Sequence, residues 1–245
     1  MLGVSAEATV WDDPGVDWSR FDLVLPRSTW DYAERREEFL AWAGSVPRVL
    51  NALPLLEWNT DKRRYLTDLA AAGVPVVPTT FVEPGEALEA QDGPFVVKPA
   101  ISAGGRRSAR FEKGELDTAQ SLVVRIHDAG GTAMAQPYLG DVVEIGLVYV
   151  EGRYSHAVRR RVPLPEAGER DVLYLDEDLA ATDAATADRT TAQAALACAG
   201  DGLLYGRVDL MAGVVLELEI TEPSLYLTYA EGAAARFAEA IARRL

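Results

Sequence analysis

Arg-Val-Asp-Leu (207–210) and Glu-Leu-Glu-Ile-Thr-Glu-Pro (217–223) are the stretches that decide the fold. Residues two apart in a β-strand share a face, so Glu217 and Glu219 point the same way, and Asp209 falls in the strand before them. The apolar residues expected on the opposite face are Leu216, Leu218 and Ile220. Three converging carboxylates are the ligands that a hard cation such as Mg²⁺ prefers. Taken alone, the pattern is more typical of a salt-bridged or solvated hairpin face than of a metal site.

The composition is that of an ordinary globular protein, with 49% hydrophobic and 25% charged residues among 245. A net charge of −14 argues against binding to nucleic acid or to an acidic membrane, because both need a basic surface. Cys198 is the only cysteine, which excludes an intramolecular disulfide. No apolar run reaches the length of a membrane span and no leader sequence is evident, so we expect a cytoplasmic protein.

Hydrophobic periodicity predicts a mixed α/β protein, in which helices alternate with strands and hairpins come late. The predicted strands are 4–10, 21–25, 76–82, 95–98, 109–111, 133–138, 145–150, 154–158 and the acidic hairpin, which turns at 211–213. The predicted helices are 34–43, the segment between 59 and 73, 116–129, 190–199 and 230–245. Residues 163–190 are predicted to form a long loop with a weak strand near Leu173.

A lysine and a glycine-rich segment supply the positive counterpart of the acidic hairpin. Lys98 ends the apolar strand 95–98, where a buried ammonium group requires an anionic partner. The segment Ser102–Ser108 contains Gly104 and Gly105, whose backbone N–H groups can approach a phosphate closely. Together with the hairpin, these groups match the two ends of a magnesium nucleotide: cations at the phosphates and carboxylates at the metal.

In this combination the chain resembles the ATP-grasp superfamily, specifically its glutathione-synthetase-like carboxylate–amine ligases. The resemblance covers about residues 59–227 and implies an ATP-grasp fold of two α+β lobes closing on ATP. It divides the chain into an N-terminal α/β subdomain (1–58), a first lobe (59–135) and a second lobe (136–245). The family usually has another strand and helix before the position of Gly3, so the N-terminal subdomain is expected to be truncated. The linker 139–144 is also short for the family.

The resemblance assigns roles to individual residues. Those implied to bind the nucleotide are Lys62, Lys98, Ser102, Gly104, Gly105, Gln136, Tyr138, Leu139 and Glu144. Arg159 or Arg160 is implied to steady the transferred phosphate as a catalytic residue. Asp209, Glu217 and Glu219 match the ligands of two Mg²⁺ ions.

Residues 27–32, 58–62 and 219–224 are similar to the cycloserine-forming ATP-grasp branch of bacterial secondary metabolism. The expected reaction is ATP-dependent ligation of a small-molecule carboxylate to an amine through an acylphosphate, or its ring-closing equivalent. A small-molecule kinase on the same fold and a non-catalytic nucleotide-binding protein are the alternatives. A homodimer is possible, and neither a nucleic-acid nor a membrane partner is expected.

Overall fold

A computed structural model describes residues 2–140, 142–161 and 178–245. The helices are α1 (Arg36–Ser45), α2 (Leu53–Asn59), α3 (Lys62–Ala71), α4 (Leu116–Asp128), α5 (Thr186–Cys198) and α6 (Ala233–Ala242). The strands are β1 (Thr80–Val82), β2 (Phe95–Pro99), β3 (Ala109–Phe111), β4 (Ala133–Pro137), β5 (Glu144–Val150), β6 (Arg153–Arg161), β7 (Asp178–Thr182), β8 (Tyr205–Met211) and β9 (Val214–Glu219). Within the described residues no helix is long and apolar enough to cross a membrane.

Two antiparallel sheets form the body of the molecule. The first has the strand order β1-β4-β2-β3, and the second has the order β7-β6-β5-β8-β9. β2 is an interior strand because its side chains are almost all apolar and need cover on both faces. α4 covers the first sheet by burying Leu122 and Ile126 against Val97 and Phe111.

α3 packs against the second sheet, although the sequence analysis assigned it to the first lobe. Tyr65, Leu66 and Leu69 of this helix share a core with Leu218 of β9 and with α5. Asp61 caps the helix by accepting a hydrogen bond from the backbone of Arg63. The boundaries 1–58, 59–135 and 136–245 stay a prediction.

The strands predicted at 4–10 and 21–25 are wrong. Residues 2–10 are exposed and lie beside no other strand, so their backbone groups have no ladder to join. The second segment makes a single parallel bridge, from Val24 to Val49. An aromatic core instead organises this region, with Trp11 packed on Phe39 and Trp42.

Two other predictions need correction. Only Thr80–Val82 of the predicted strand 76–82 is a strand, because Pro75 and Pro78 lack the N–H donors that a ladder needs. The proposed strand near Leu173 lies outside the described residues. Residues 178–182, predicted as loop, form β7 against β6, and α5 begins at Thr186 rather than 190.

Candidate active site

A cavity of about 460 Å³ lies between the two sheets. The first sheet contributes Lys98 and Gln136 to its wall, and the second contributes Arg160 and Glu217. The glycine-rich segment 102–108 adds a third side. This volume is typical of sites for small molecules and cofactors.

The acidic hairpin brings the three predicted metal ligands together. Asp209 on β8 lies opposite Glu217 on β9, and Arg207 lies opposite Glu219. One carboxylate oxygen from each of Asp209, Glu217 and Glu219 lies within 4.8 Å of the others. Glu217 and Glu219 line the cavity, whereas Asp209 is almost fully buried beneath it.

A β-bulge changes the predicted alternation of β9. Asp209 is paired with Glu217, but Leu210 is paired with Val215, so Leu216 has no residue opposite it. Leu216 therefore lines the cavity beside Glu217 instead of sharing the buried face with Leu218. An extra residue resets the two-residue period, which a sequence pattern cannot reveal.

Two lysines neutralise Glu217. Lys98 Nζ lies 3.0 Å and Lys62 Nζ lies 3.9 Å from Glu217 Oε1. Lys62 also donates to the Ser102 carbonyl at 2.9 Å, which links α3 to the glycine-rich segment. Burial alone would raise the pKa of Glu217, but Lys98 and Lys62 lower it below its usual range. Glu217 is therefore an anion at neutral pH.

Two arginines hold the other acids. Arg207 donates two hydrogen bonds to Asp209, at 2.7 and 2.9 Å, and lies 2.8 Å from Glu219. Arg160 lies 3.0 Å from both Asp209 and Glu144. Burial raises the pKa of Glu144 to about 7, against the attraction of Arg160. Burial also raises the pKa of Glu219, against Arg207.

The donor chemistry fits a divalent cation. Glu217 and Glu219 offer hard oxygen ligands at the cavity wall, and an oxygen of Asp209 lies within 4.8 Å of theirs. Without a bound cation, nearby arginines and a lysine neutralise much of the negative charge of these carboxylates. A bound cation would take over part of that role.

The glycine-rich segment is shaped for an anion. Gly104 and Gly105 have positive φ angles of 63° and 71°, line the cavity and carry no side chain to obstruct a ligand. Ser102 lines it as well, and the Oγ of Ser108 is buried in its wall without a hydrogen-bond partner among the described residues. A buried hydroxyl without such a partner, beside backbone that carries no side chain, fits a phosphate oxygen.

The segment between the two sheets also reaches the cavity. Gln136, Tyr138 and Leu139 line it, as predicted for a nucleotide-binding linker. Gln136 is buried and donates to the Thr79 hydroxyl at 2.9 Å. The Tyr138 N–H donates to the Pro94 carbonyl at 2.9 Å, which joins the linker to the start of β2.

Two of the predicted site residues do not line the cavity: Asp209 is buried beneath it, and Arg159 lies away from it on β6. The Arg159 side chain is 47% exposed and lies 3.8 Å from Asp178 on β7. Arg160 points to the cavity because consecutive residues of β6 face opposite sides of the sheet. Of the two arginines between which the sequence left the choice open, Arg160 is the one that lines the cavity, and its catalytic role stays a prediction.

Sequence reasoning missed three charged residues that line the cavity in the described part of the chain: Arg161, Arg207 and Glu222. Arg207 precedes Asp209 by two positions in the same strand, so period-two alternation could have placed both on one face. Glu222 lies after the end of β9, so strand periodicity does not predict which way its side chain points. The sign of its burial in the sequence was that Ile220 and Pro223 nearby are apolar.

Comparison with known proteins decides the family. A family model described as the N-terminal domain of the D-cycloserine synthetase DcsG matches residues 1–53. The cycloserine biosynthesis protein DcsG of Streptomyces lavendulae is 41% identical over 271 aligned residues, which cover 100% of this chain and 90% of that protein. The chain belongs to the DcsG family of ATP-grasp ligases.

Solved structures agree with this family. The crystal structure of the D-cycloserine synthetase DcsG matches with a TM-score of 0.87 and 38% identity, over 99% of this chain and 90% of that one. The ATP-grasp ligase PsnB, in a complex containing Mg and ADP, matches with a TM-score of 0.56 and 18% identity, over 88% and 68%. The predicted fold and the predicted enzyme class, an ATP-dependent ligase that forms a C–N bond, are confirmed. The roles of single residues stay predictions.

Proposed function

We propose that the cavity binds ATP with two Mg²⁺ ions and activates the carboxylate of a small amino acid for ring closure by an amine of the same molecule. The observation that carries this proposal is the charge arrangement of one cavity. Grouped carboxylate oxygens on β9 face Lys62, Lys98 and the glycine-rich segment. The named product of the related synthetase, D-cycloserine, supports the ring-closing form of the reaction.

Basic and small residues bind the phosphates of ATP. Lys62 and Lys98 exchange their contact with Glu217 for phosphate oxygens, as point charges that need little reorientation. Backbone N–H groups near Gly104 and Gly105, with the Ser108 hydroxyl, bind further oxygens. Gln136, Tyr138 and Leu139 line the part of the cavity that takes the base, and Glu144 binds the ribose. These last assignments follow the family resemblance.

Asp209, Glu217 and Glu219 hold the metal ions. When bound, Mg²⁺ neutralises the charge that develops on the phosphates during transfer. The low pKa of Glu217 keeps it ionised and ready to accept a cation. Arg207 fixes both Asp209 and Glu219, so it positions two of the three ligands.

The reaction proceeds in two transfers. A carboxylate oxygen of the substrate bonds to the γ-phosphorus, and the bond to the oxygen of ADP breaks, giving an acylphosphate. The amine nitrogen then bonds to the acyl carbon, phosphate leaves with the carboxylate oxygen, and a proton passes to water. Arg160 lies at the cavity wall as the cation for oxygens of the transferred phosphate. Holding both groups of one molecule in place supplies much of the rate.

Product analysis tests this proposal. The purified chain is incubated with Mg-ATP and a panel of small amino acids that includes the ring-opened form of D-cycloserine. The expected result is ADP and free phosphate in equal amounts, with a cyclic amide. A stable phosphorylated product without free phosphate indicates a kinase, and a thermal shift with Mg-ATP but no ADP indicates a non-catalytic binding protein.

A further inference from the structure

Part of the cavity wall has no role in the nucleotide or metal chemistry. It is formed by the segment after β9 and by the short 3₁₀ turn Trp30–Ala33. The residues that line it here are Trp30, Tyr32, Thr221, Glu222, Ser224 and Tyr226. Three of these six residues are aromatic, and Glu222 is the acid among them.

Glu222 is a buried acid, and one of its two carboxylate oxygens makes no hydrogen bond to the described residues. Its residue is 8% exposed, and Oε2 has no hydrogen-bond partner among the described residues. The Trp30 side chain hydrogen-bonds to the same carboxylate. Burying a carboxylate oxygen without a hydrogen-bond partner costs free energy. Such an oxygen is therefore typical of a site where a ligand supplies the missing hydrogen bond.

The two arginines near Glu222 make their hydrogen bonds to other groups, although Arg27 Nη1 is buried without a hydrogen-bond partner among the described residues. Arg207 donates to Asp209 and to the Ser224 carbonyl. Arg27 donates to the Pro223 carbonyl and stacks over the Tyr205 ring at 5.2 Å. Glu222 lines the cavity and makes no ion pair with the described residues, so the charges of Arg27 and Arg207 act on it only from a distance.

The electrostatics of Glu222 agree with this geometry. Burial and repulsion from Glu219 raise its pKa to about 8, and Arg27 and Arg207 offset only part of the rise. A cationic ligand beside Oε2 would favour the ionised form. The aromatic residues around it suit such a ligand because ring faces attract cations.

We propose that Glu222 binds the free ammonium group of the amino-acid substrate, the one that does not enter the new bond, in a subsite walled by Trp30, Tyr32 and Tyr226. This inference rests on the proposed function and deepens it. Glu222 thereby orients the substrate so that its carboxylate faces the nucleotide phosphates, and it selects substrates that carry a second amine. Glu222 is a specificity residue and takes no part in metal binding.

A binding cycle tests the inference with the full chain in Mg-ADP. Calorimetry compares D-cycloserine, which keeps a primary amine on its ring, with the same ring lacking that amine. The wild-type chain is expected to bind the amino ring about 10- to 100-fold more tightly, the range of a hydrogen bond to a charged group. Glu222→Gln is expected to bind both rings equally and Mg-ADP normally. Glu222→Asp keeps the charge and retains part of the preference.

Glu89→Gln is the matched control, because it removes a negative charge from an exposed side chain. It should keep the wild-type preference. A preference that persists in Glu222→Gln overturns the inference, as does a loss of turnover in that variant with unchanged preference, which would indicate proton transfer instead.

A second measurement separates this inference from the proposed function. If neither ring binds the wild-type chain while Mg-ADP does, the proposed product class is wrong. Thermal shifts with D-serine and D-alanine then decide the inference. An amine whose stabilisation is lost in Glu222→Gln but kept in Glu89→Gln supports it, and the absence of any such amine overturns it.

Discussion

Two acids of the same cavity hold their protons differently because their neighbours differ. Burial opposes ionisation of Glu217, but Lys98 at 3.0 Å and Lys62 at 3.9 Å outweigh it, and its pKa falls. At Glu222, burial and repulsion from Glu219 outweigh the attraction of Arg27 and Arg207, and the pKa rises to about 8. At neutral pH one acid is therefore an anion suited to a metal, and the other is largely neutral until a cation binds.

The arginine pair on β6 gives a matched prediction. Arg160→Gln should lower kcat/KM about 100-fold or more, because it removes a cation aimed at the transferring phosphate. Arg159→Gln changes the same chemical group on the exposed face and should stay within about twofold of wild type. Steady-state ADP release measures both. Equal losses in the two variants would remove Arg160 from the mechanism.

The raised pKa of Glu222 predicts a pH dependence of stability. An acid whose folded pKa exceeds its unfolded value binds more protons when folded, so its contribution to stability is full below the unfolded value and lost as pH rises through the folded one. The free energy of unfolding of wild type relative to Glu222→Gln should fall between pH 4.5 and about 8, by on the order of a few kcal/mol. Urea titrations at several pH values measure it, with Glu89→Gln as the control for net charge. A pH-independent difference would contradict the prediction.

At the scale of elements, the acidic hairpin is held in place by the N-terminal helical region. Asn51 donates to the carbonyls of Tyr205 and Ile220 at 2.9 and 2.6 Å. Asn59, the last residue of α2, donates to Leu218 at 2.6 Å and accepts from Thr221. Both side-chain amides are buried, and both hydrogen-bond to the backbone next to Glu219. The proposed metal ligands are thus positioned by side chains distant in sequence.

Replacing Asn59 tests this support. Asn59→Leu keeps the side-chain size but leaves the Leu218 carbonyl and the N–H groups of Ile220 and Thr221 without partners. The free energy of unfolding should fall by roughly 3 kcal/mol or more, measured by urea denaturation. Gln91→Ala, which removes a half-exposed amide bonded only to the Glu89 carbonyl, should cost less than about 0.5 kcal/mol. A near-neutral Asn59→Leu would contradict the account of how the hairpin is held.

Gly146 on β5 tests the packing beneath the metal ligands. It lies opposite Asp209, and an added Cβ would lie 3.0 Å from Asp209 Oδ1 and 3.3 Å from Arg207 Cδ. Gly146→Ala should therefore lower kcat/KM about tenfold or more by displacing this pair. Gly93→Ala is the control, because its Cβ would meet nothing within 4 Å. Wild-type activity in Gly146→Ala would show that Asp209 needs no fixed position.

The sequence predicted those elements whose signal is local. The interior strand β2, helix α4 and the acidic hairpin follow from apolar periodicity and turn residues. The bulge at Leu216 was not predictable, because no residue type in the strand marks the position where the pairing shifts by one residue. The burial of Glu222 and the hydrogen bond from Asn59 to the Leu218 carbonyl depend on contacts between distant parts of the chain, which one sequence does not reveal.

At the scale of the molecule, the two sheets together make one cavity whose wall gathers cations as well as carboxylates. The chain carries a net charge of −14, yet Lys62, Lys98, Arg160 and Arg207 converge on one cavity. The backbone N–H of Val77, in the segment before β1, donates a hydrogen bond of 2.9 Å to the carbonyl of Val215 on β9. This hydrogen bond joins the segment that leads into the first sheet to the strand that carries Glu217 and Glu219.

The fate of the carboxylate oxygen tests the central claim most directly. The ring-opened form of D-cycloserine, labelled with ¹⁸O in its carboxylate, is incubated with the chain and Mg-ATP, and the released phosphate is analysed by mass spectrometry. We predict one ¹⁸O atom in each released phosphate, formed alongside ADP, and loss of this transfer in Glu217→Gln. Release of ADP with unlabelled phosphate would contradict an acylphosphate formed in this cavity.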